Sequence, residues 1–343
     1  MTELEGRGDA WTEEREATKE RPSDEGRRRH QAPRKRAAST APDPVAPGEQ
    51  SAPREQRVLR LGRREFGPRQ LLVMAIVNRT PDSFYKPGIT WDESAAMDRV
   101  HQVVTEGADI VDVGGVPAAP GSDVDATEEI RRTAGFIAAV RAAYPDVVIS
   151  VDTWRHEVGR EACAAGADLI NDSWGGLDTR LAEVAAEAGA GVVCSHAGPQ
   201  TPRTRPFRVA YADVMADVLD RTLALAARAE RAGVDPARIV IDPAHDFGKN
   251  TWHSLEVTRR LADMTATGWP VLVSLSNKDF VGETLGVPPE ERLPGTLAST
   301  SVSAWLGARI FRVHQVVETR QVLDMVSSIR GDRPPARTVR GLA

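Results

Sequence analysis

Cysteine is scarce in this sequence: two residues, Cys163 and Cys194, in a chain of 343. Two scattered thiols exclude a disulfide framework and a thiolate metal site, and both are expected as buried, reduced packing residues. Long apolar runs are missing too. No stretch approaches the roughly 18 apolar residues of a membrane-spanning helix, and the amino-terminal segment has no apolar core of the kind a secretory signal needs. These absences point to a cytoplasmic chain with no membrane partner. A surplus of positive charge is also absent. The formal net charge is -5, and residues 1–56 carry 11 basic against 12 acidic side chains, a balance of -1 that leaves -4 on the remainder. Neither part has the charge of a nucleic-acid binder, despite the Arg27-Arg28-Arg29 and Arg34-Lys35-Arg36 clusters.

What is present falls into two main parts. Residues 1–56 hold charges, Pro, Ser, Thr and Ala, with Trp11 as their one aromatic residue. Such a segment buries too little apolar surface to offset its ordering entropy, so a disordered charged tail is expected. From 57 to 336 the chain repeats one pattern eight times, and 337–343 is a short carboxyl-terminal tail. Each repeat is an apolar, β-branched run that ends in a polar or ionisable residue and gives way to a helical stretch. The runs are Leu71 to Asn78, Asp109 to Gly115, Val147 to Thr153, Leu169 to Asp172, Gly191 to His196, Ile239 to Asp242, Val271 to Ser276 and Ile310 to His314. Apolar on both faces and separated by helix-length segments, they ask for an α/β fold, a closed (β/α)8 TIM barrel with helices outside. The carboxyl ends of barrel strands form the active face. Here that face carries Asn78, Asp112, Asp152, Asn171, His196, Asp242, Lys278, Arg312 and His314.

Ahead of the first run, Val58-Leu59-Arg60-Leu61-Gly62-Arg63-Arg64 alternates, and reads either as a hairpin closing the bottom of the barrel or as an irregular linker. Thr90 with Glu93 and Asp125 with Glu128 are expected capping boxes. Between Tyr211 and Ala232 apolar residues recur near helical spacing and Gly233 ends the run, which predicts the longest helix, a scaffold element. Three connections on the active side are longer than the roughly 2 to 6 residues of an ordinary turn from strand to helix. They run from Arg79 to Thr90, from Val116 to Val124 and from Asn277 to about Pro294, and are candidates for lids and substrate contacts.

The strand end Met74-Ala75-Ile76-Val77-Asn78-Arg79-Thr80-Pro81-Asp82-Ser83-Phe84 is too particular for a generic barrel turn. It resembles the signature of the dihydropteroate synthases, the pterin-binding enzymes of folate synthesis. The resemblance extends through Ser150-Val151-Asp152-Thr153, Ile170-Asn171-Asp172, Asp242-Pro243-Ala244-His245-Asp246-Phe247-Gly248-Lys249, Ser276-Asn277-Lys278-Asp279-Phe280-Val281-Gly282 and Arg312-Val313-His314. It covers the chain from about Leu71 to Val326, in order.

The residues suit a flat heterocycle with many hydrogen-bonding edges. An aminopyrimidine edge donates to carboxylates such as Asp152 and Asp242, Asn171 can read a mixed edge, and Lys278 can donate to a carbonyl. The resemblance places the pterin pocket on these four residues. Arg312 and His314 alternate onto one face of the last strand and could bind diphosphate, the group that leaves when the pterin methylene is attacked. Asn78 resembles the family's Mg2+ contact, where an oxygen ligand and the diphosphate share one hard cation. In the family reaction the amine of para-aminobenzoate captures the methylene of dihydropterin pyrophosphate, giving dihydropteroate. Asp82, Phe84 and Phe247, together with Lys249, match positions that close over the second substrate, which sulfonamide and sulfone analogues imitate. Family members pair through their carboxyl-terminal helices, so a homodimer is implied, with Val302 to Leu306 and Val316 to Val326 as the apolar stretches available for it.

The departures cluster on one side. Where the family shows Glu-Ser-Thr-Arg-Pro-Gly, this chain reads Val116-Pro117-Ala118-Ala119-Pro120-Gly121, so Ala118 lacks a hydroxyl and Ala119 a guanidinium. Ser-Arg-Lys-Ser becomes Ser276-Asn277-Lys278-Asp279, placing an acid where an anion should bind. Gln315 replaces the aspartate after His314, and Arg79 adds a positive side chain in the first loop. The pattern looks like the divergent second-copy paralogues of the family, suspected of having lost the synthase activity, and weak or absent turnover is the expectation. The alternatives are a fully active synthase with Arg79 or Arg205 supplying the lost charge, a pterin-dependent methyl carrier, or a non-catalytic pterin-binding protein. Metal-dependent hydrolysis finds no support, because the first strand has no His-x-His pair.

Overall fold

The structure, a computed structural model, describes residues 56–80, 92–121, 123–199, 201–204 and 208–341. The expected tail therefore lies outside the described residues apart from Gln56, as do Asp82, Phe84, Thr90 and Arg205.

The alternating stretch before the barrel is a hairpin. Strands β1 (Leu59–Leu61) and β2 (Arg64–Phe66) pair antiparallel with Leu59 opposite Phe66. Gly62 makes the turn at φ 55°, a conformation that strains residues with a side chain. Leu59, Leu61 and Phe66 are buried together with Leu72, Met74, Ile110, Val148 and other inward residues of the barrel, so the hairpin plugs its amino end. Arg309 holds the plug in place, donating to the carbonyl oxygens of Arg57 and Gly67, each at 2.6 Å.

Eight parallel strands follow: β3 (Leu72–Asn78), β4 (Ile110–Gly114), β5 (Val148–Asp152), β6 (Leu169–Asp172), β7 (Gly191–Ser195), β8 (Ile239–Asp242), β9 (Leu272–Ser274) and β10 (Ile310–Val313). They are hydrogen-bonded in the order β8-β7-β6-β5-β4-β3-β10-β9. A bridge between Ile241 and Val271, with the Ile241 N–H donating to Pro270 at 3.0 Å, joins the two ends and closes the ring. The expected barrel is thus observed, its strands lying within the predicted runs.

Strand periodicity decides what each face holds. Val111, Val113, Ile149, Val151, Ile239 and Ile241 turn outward into the core beneath the helices. The inward residues change character along the axis. Ile110, Val148, Leu169, Val240 and Ile310 form the lower layer against the hairpin. Two residues further along the same strands stand Asp112, Ser150, Asn171, Asp242 and Arg312. The runs are therefore apolar on both faces only in their lower half, and this switch creates the site.

The outer helices are α1 (Glu93–Thr105), α2 (Ala126–Ala143), α3 (His156–Ala164), α4 (Leu181–Ala188), α5 (Val214–Ala232), α6 (Thr251–Arg259), α7 (Leu261–Thr265), α8 (Asp279–Leu285), α9 (Leu293–Trp305) and α10 (Val316–Ile329). Helix α5, ended by Gly233 at φ 101°, is the predicted long scaffold helix. Three expectations need correction. Helix α1 is capped by Asp92, whose carboxylate accepts from the Ser94 and Ala95 amides, so Glu93 is the first helical residue and not the fourth residue of a capping box. At α2 Asp125 caps as expected, but Glu128 pairs with Arg131 and Arg132 instead of returning to the cap. The third long connection is mostly helical: α8 occupies Asp279–Leu285 because Phe280 and Val281 find the apolar core. Cys194 is buried, whereas Cys163 is only half-buried, and both are free. Among the described residues no helix is long and apolar enough to cross a membrane.

Candidate functional site

At the carboxyl ends of the strands lies a cavity of about 270 Å³. Its floor is made by Asn78, Asp152, Asn171, Asp242, Lys278 and Arg312, each delivered by a different strand or strand end. Arg312 organises this floor. Its Nε donates to Asp112 Oδ2 at 2.6 Å and its Nη2 to Asp152 Oδ2 at 2.7 Å. Ser173 Oγ donates to the other Asp152 oxygen at 2.8 Å, and Asn171 Nδ2 reaches Asp112 Oδ2 at 3.4 Å. Asp112 is fully buried under the floor, and its Oδ1 has no hydrogen-bond partner among the described residues.

Burial sets the electrostatics, because a low-dielectric site penalises every charged form. It raises Asp152 above the ordinary carboxyl value, with Arg312 opposing the shift and Asp112 adding to it. It pushes Asp242 up to about 6, although the Ala244 amide donates to Asp242 Oδ1 at 2.7 Å. Burial lowers the Lys278 ammonium, partly offset by Asp246 and Asp242. Burial works against Arg312 as well, yet Asp112 and Asp152 outweigh it and hold the guanidinium charged. His314 is pushed down to about 3 by burial and by Arg312, so its ring is neutral; Ser276 Oγ lies 2.9 Å from its Nδ1. Lys278 Nζ donates to the His245 carbonyl and sits 4.6 Å from the centroid of the Phe247 ring.

The rim is built differently. Trp174 and Phe247 meet edge to face at 4.9 Å between centroids, and Trp154 stands 6.3 Å from Trp174. The same rim includes the small apolar segment from Val116 to Pro120, tied to the connection after β7 by Arg203 Nε donating to the Ala119 carbonyl at 3.2 Å. Asp279 completes the rim with a side chain 58% exposed, paired at 3.0 Å with Arg292. Arg292 also donates to the Asn277 carbonyl at 2.8 Å, beneath the surface.

Some predicted residues lie elsewhere. His196 does not face the cavity: its Nε2 lies 2.6 Å from Asp217 Oδ1 on α5 and its Nδ1 lies 2.7 Å from Lys249 Nζ. Lys249 is likewise buried, its ammonium also donating to the carbonyl oxygens of His196, Ala244 and Phe247. It fastens the loop that presents Phe247 instead of reaching a substrate. Arg79 turns away to α2, donating to the Arg132 carbonyl at 3.4 Å with its guanidinium 4.9 Å from the Phe136 ring centroid. The sequence reading missed Trp154 and Trp174. Both stand two residues beyond a strand-ending aspartate, Asp152 and Asp172, which was a usable signal. Asp172 is what turns the second of them inward, since its carboxylate accepts from the Trp174 and Gly176 amides at 3.2 and 2.7 Å.

Magnesium can be tested against the donor set. Asn78 offers a hard amide oxygen to the cavity, and Gly114 leaves space beside it, where a Cβ would stand 3.1 Å from that oxygen. Among the described residues the group of His, Asp and Glu whose ligand atoms converge is His156, Glu157 and Asp178, which does not line the cavity. The floor therefore suits a magnesium ion that brings most of its oxygen ligands with the substrate.

A closed parallel barrel whose buried floor sets carboxylates against a guanidinium and an ammonium, under a wall of aromatic rings, defines a class of protein that binds flat, polar heterocycles at its strand ends. Residues 74–314 match the family described as pterin binding enzyme, and the chain belongs to that family. It is 60% identical over 286 residues to the inactive dihydropteroate synthase 2 of Mycobacterium tuberculosis, covering 82% of this chain and 90% of that protein. With the dihydropteroate synthase of Escherichia coli it shares 37% identity over 257 residues, 75% of this chain and 90% of that protein. The crystal structure of Yersinia pestis dihydropteroate synthase with a sulfonamide drug complex superposes with a TM-score of 0.75 at 32% identity, covering 80% of this chain and 100% of that one.

Proposed function

We propose that this chain is a pterin-binding protein of the dihydropteroate synthase type that retains the pterin pocket and is weak or inactive as a synthase. The observation that carries the reading is the contrast inside one cavity: the floor keeps its full polar set, while at the rim Asp279 puts a carboxylate where para-aminobenzoate would bring another. In this reading Asp152 and Asp242 accept from the aminopyrimidine edge, Asn171 reads the ring beside them and Lys278 donates to the carbonyl. Such a buried, convergent set orients a planar ligand and excludes water from it. His314 and Arg312 serve the diphosphate, the neutral imidazole as a donor and the guanidinium through the N–H groups that Asp112 and Asp152 do not take. Asn78 would hold Mg2+ together with the diphosphate, and the ion would supply charge to offset that of the leaving group. Asp82, Phe84 and Phe247 are the loop residues assigned to the second-substrate side.

The same reading makes residues 57–336 the functional unit, flanked by tails, in a cytoplasmic protein. Val302 and Trp305 on α9 and Met325 and Ile329 on α10 are exposed apolar side chains on neighbouring helices, and they support pairing of two copies through this face. Sedimentation would show a dimer, and Trp305→Lys would return it to a monomer. The active-synthase alternative loses one of its two candidate charges, since Arg79 is engaged with α2. Complementation of a strain lacking its own synthase tests the proposal: failure to grow is expected, and full rescue would overturn it.

A further inference from the structure

The rim carries a chemistry that pterin binding leaves unused. Three aromatic rings, Trp154, Trp174 and Phe247, stand together at the opening, and the segment from Val116 to Pro120, which also lines it, offers no polar side chain. The charged group exposed there is Asp279. Arg292 engages its Oδ1, and its other oxygen accepts no hydrogen bond from the described residues. A second acid of the lining, Asp246, has both oxygens occupied, by Ser254 Oγ and by the Phe280 amide, and adds its field to the same corner.

Basic groups near the rim are committed to the protein. Arg292 is 9% exposed and holds the Asn277 carbonyl from below. Arg155 stacks on the Trp154 ring and is spent on Glu129 and the Val124 carbonyl. Arg203 donates to the Ala119 carbonyl. Among the described lining residues the remaining basic side chains are Arg312, held in the floor by Asp112 and Asp152, and Lys278, which donates to the His245 carbonyl and lies under the Phe247 ring.

Resting on the pterin reading of the floor, we propose that the outer half of this cavity takes a planar aromatic cation, such as an aryl amidine, in place of an aromatic carboxylate. Aromatic faces attract cations through their quadrupole, most strongly where water is displaced. A planar amidinium matches a carboxylate with two parallel N–H···O bonds, and Asp279 offers one oxygen free and one shared. An aromatic carboxylate in the same place meets a like charge at short range, and among the described lining residues the one ammonium near it, Lys278, is already shared with Asp242, Asp246 and the His245 carbonyl.

The test compares two ligands of the same shape and opposite charge, 4-aminobenzamidine and 4-aminobenzoate, by calorimetric titration with and without a saturating reduced pterin. The amidine is expected to bind at least about tenfold more tightly than the benzoate, a difference of about 1.4 kcal/mol. Asp279→Asn, which removes the charge and keeps the shape, is expected to abolish that preference. Equal or tighter binding of the benzoate, no binding of either compound, or a preference untouched in Asp279→Asn would each overturn the proposal. Titration of the pterin alone reads the floor separately: if the pterin fails to bind while the amidine preference stands without it, the floor reading fails and the rim assignment does not.

Discussion

In and beneath the floor of the cavity Asp112 and Asp152 pair with Arg312, while Asp242 and Lys278 are held by the Ala244 amide and the His245 carbonyl, all five half-buried or buried. At the rim, a few residues further along the same strand-to-loop connections, three aromatic rings and a short apolar segment surround one exposed carboxylate, Asp279. The floor is over-determined: moving Arg312, Asp112 or Asp152 leaves a buried charge without its counterpart, which costs several kcal/mol. The rim is not, because an exposed pair such as Asp279 with Arg292 contributes about 1 kcal/mol or less. A sequence can therefore drift at the rim while the floor stays intact, and a pocket for one ligand can outlive the reaction that once used two.

The sharpest way to break this comparison is to remove Arg312. Arg312→Met leaves Asp112 and Asp152 facing each other in a buried site, and a loss of about 3–5 kcal/mol in stability is expected together with loss of pterin binding. Chemical denaturation would measure the first, and a variant as stable as the parent would contradict the account. At the opposite end of the barrel, Phe66→Ala opens a void in the hairpin plug and should cost about 3 kcal/mol. Pterin affinity, titrated at a temperature where the variant is folded, should be unchanged, so a parallel fall in affinity would show that plug and floor are not independent.

A smaller effect comes from pH. Burial raises Asp242 to about 6 and Asp172 to about 7, against about 4 for an unfolded aspartate. The folded state therefore holds these protons at a higher pH than the unfolded state does, and as pH falls from 8 towards 5 their contribution to stability rises. Under the proposed function binding moves the other way, because the Asp242 carboxylate assigned to accept from the pterin is lost below about 6. Affinity for a reduced pterin without phosphate should drop about tenfold between pH 7 and pH 5, while these two groups add to thermal stability over the same range. Calorimetry and melting curves at both pH values would separate the two trends, and an affinity that is flat or rises on acidification would count against Asp242 as the acceptor. The smallest change is expected at the rim: Asp279→Asn should alter stability by less than about 1 kcal/mol, and a larger loss by denaturant titration would place Asp279 in the framework.

The barrel was legible because its signal is local. Eight runs of β-branched residues separated by helical lengths leave few architectures. The floor residues were legible for the same reason, since a period of two along Val148, Ser150 and Asp152, or Ile310 and Arg312, carries apolar residues to the bottom and polar ones to the top. What could not be read was pairing between strands distant in sequence. Asp112 and Arg312 are 200 residues apart, and nothing in either neighbourhood announces their ion pair. His196 sat at a strand end like the others, but its orientation is decided by Asp217 and Lys249, which belong to other elements. The stretch after Asn277 looked like a loop because it carries Gly282, Gly286, Pro288, Pro289 and Pro294, yet two apolar residues, Phe280 and Val281, were enough to fold one helical segment against the core.

The central claim is that the pterin half of the site works and the synthase reaction does not. The direct measurement is calorimetric titration of the full chain with dihydropterin pyrophosphate and Mg2+, with and without para-aminobenzoate, followed by assay of the same mixture for dihydropteroate. Saturable binding of the pterin with no product is the predicted result. Product formed at ordinary enzyme rates, about 1 s⁻¹ or more, would contradict the loss of activity, and absence of any binding would contradict the retained floor.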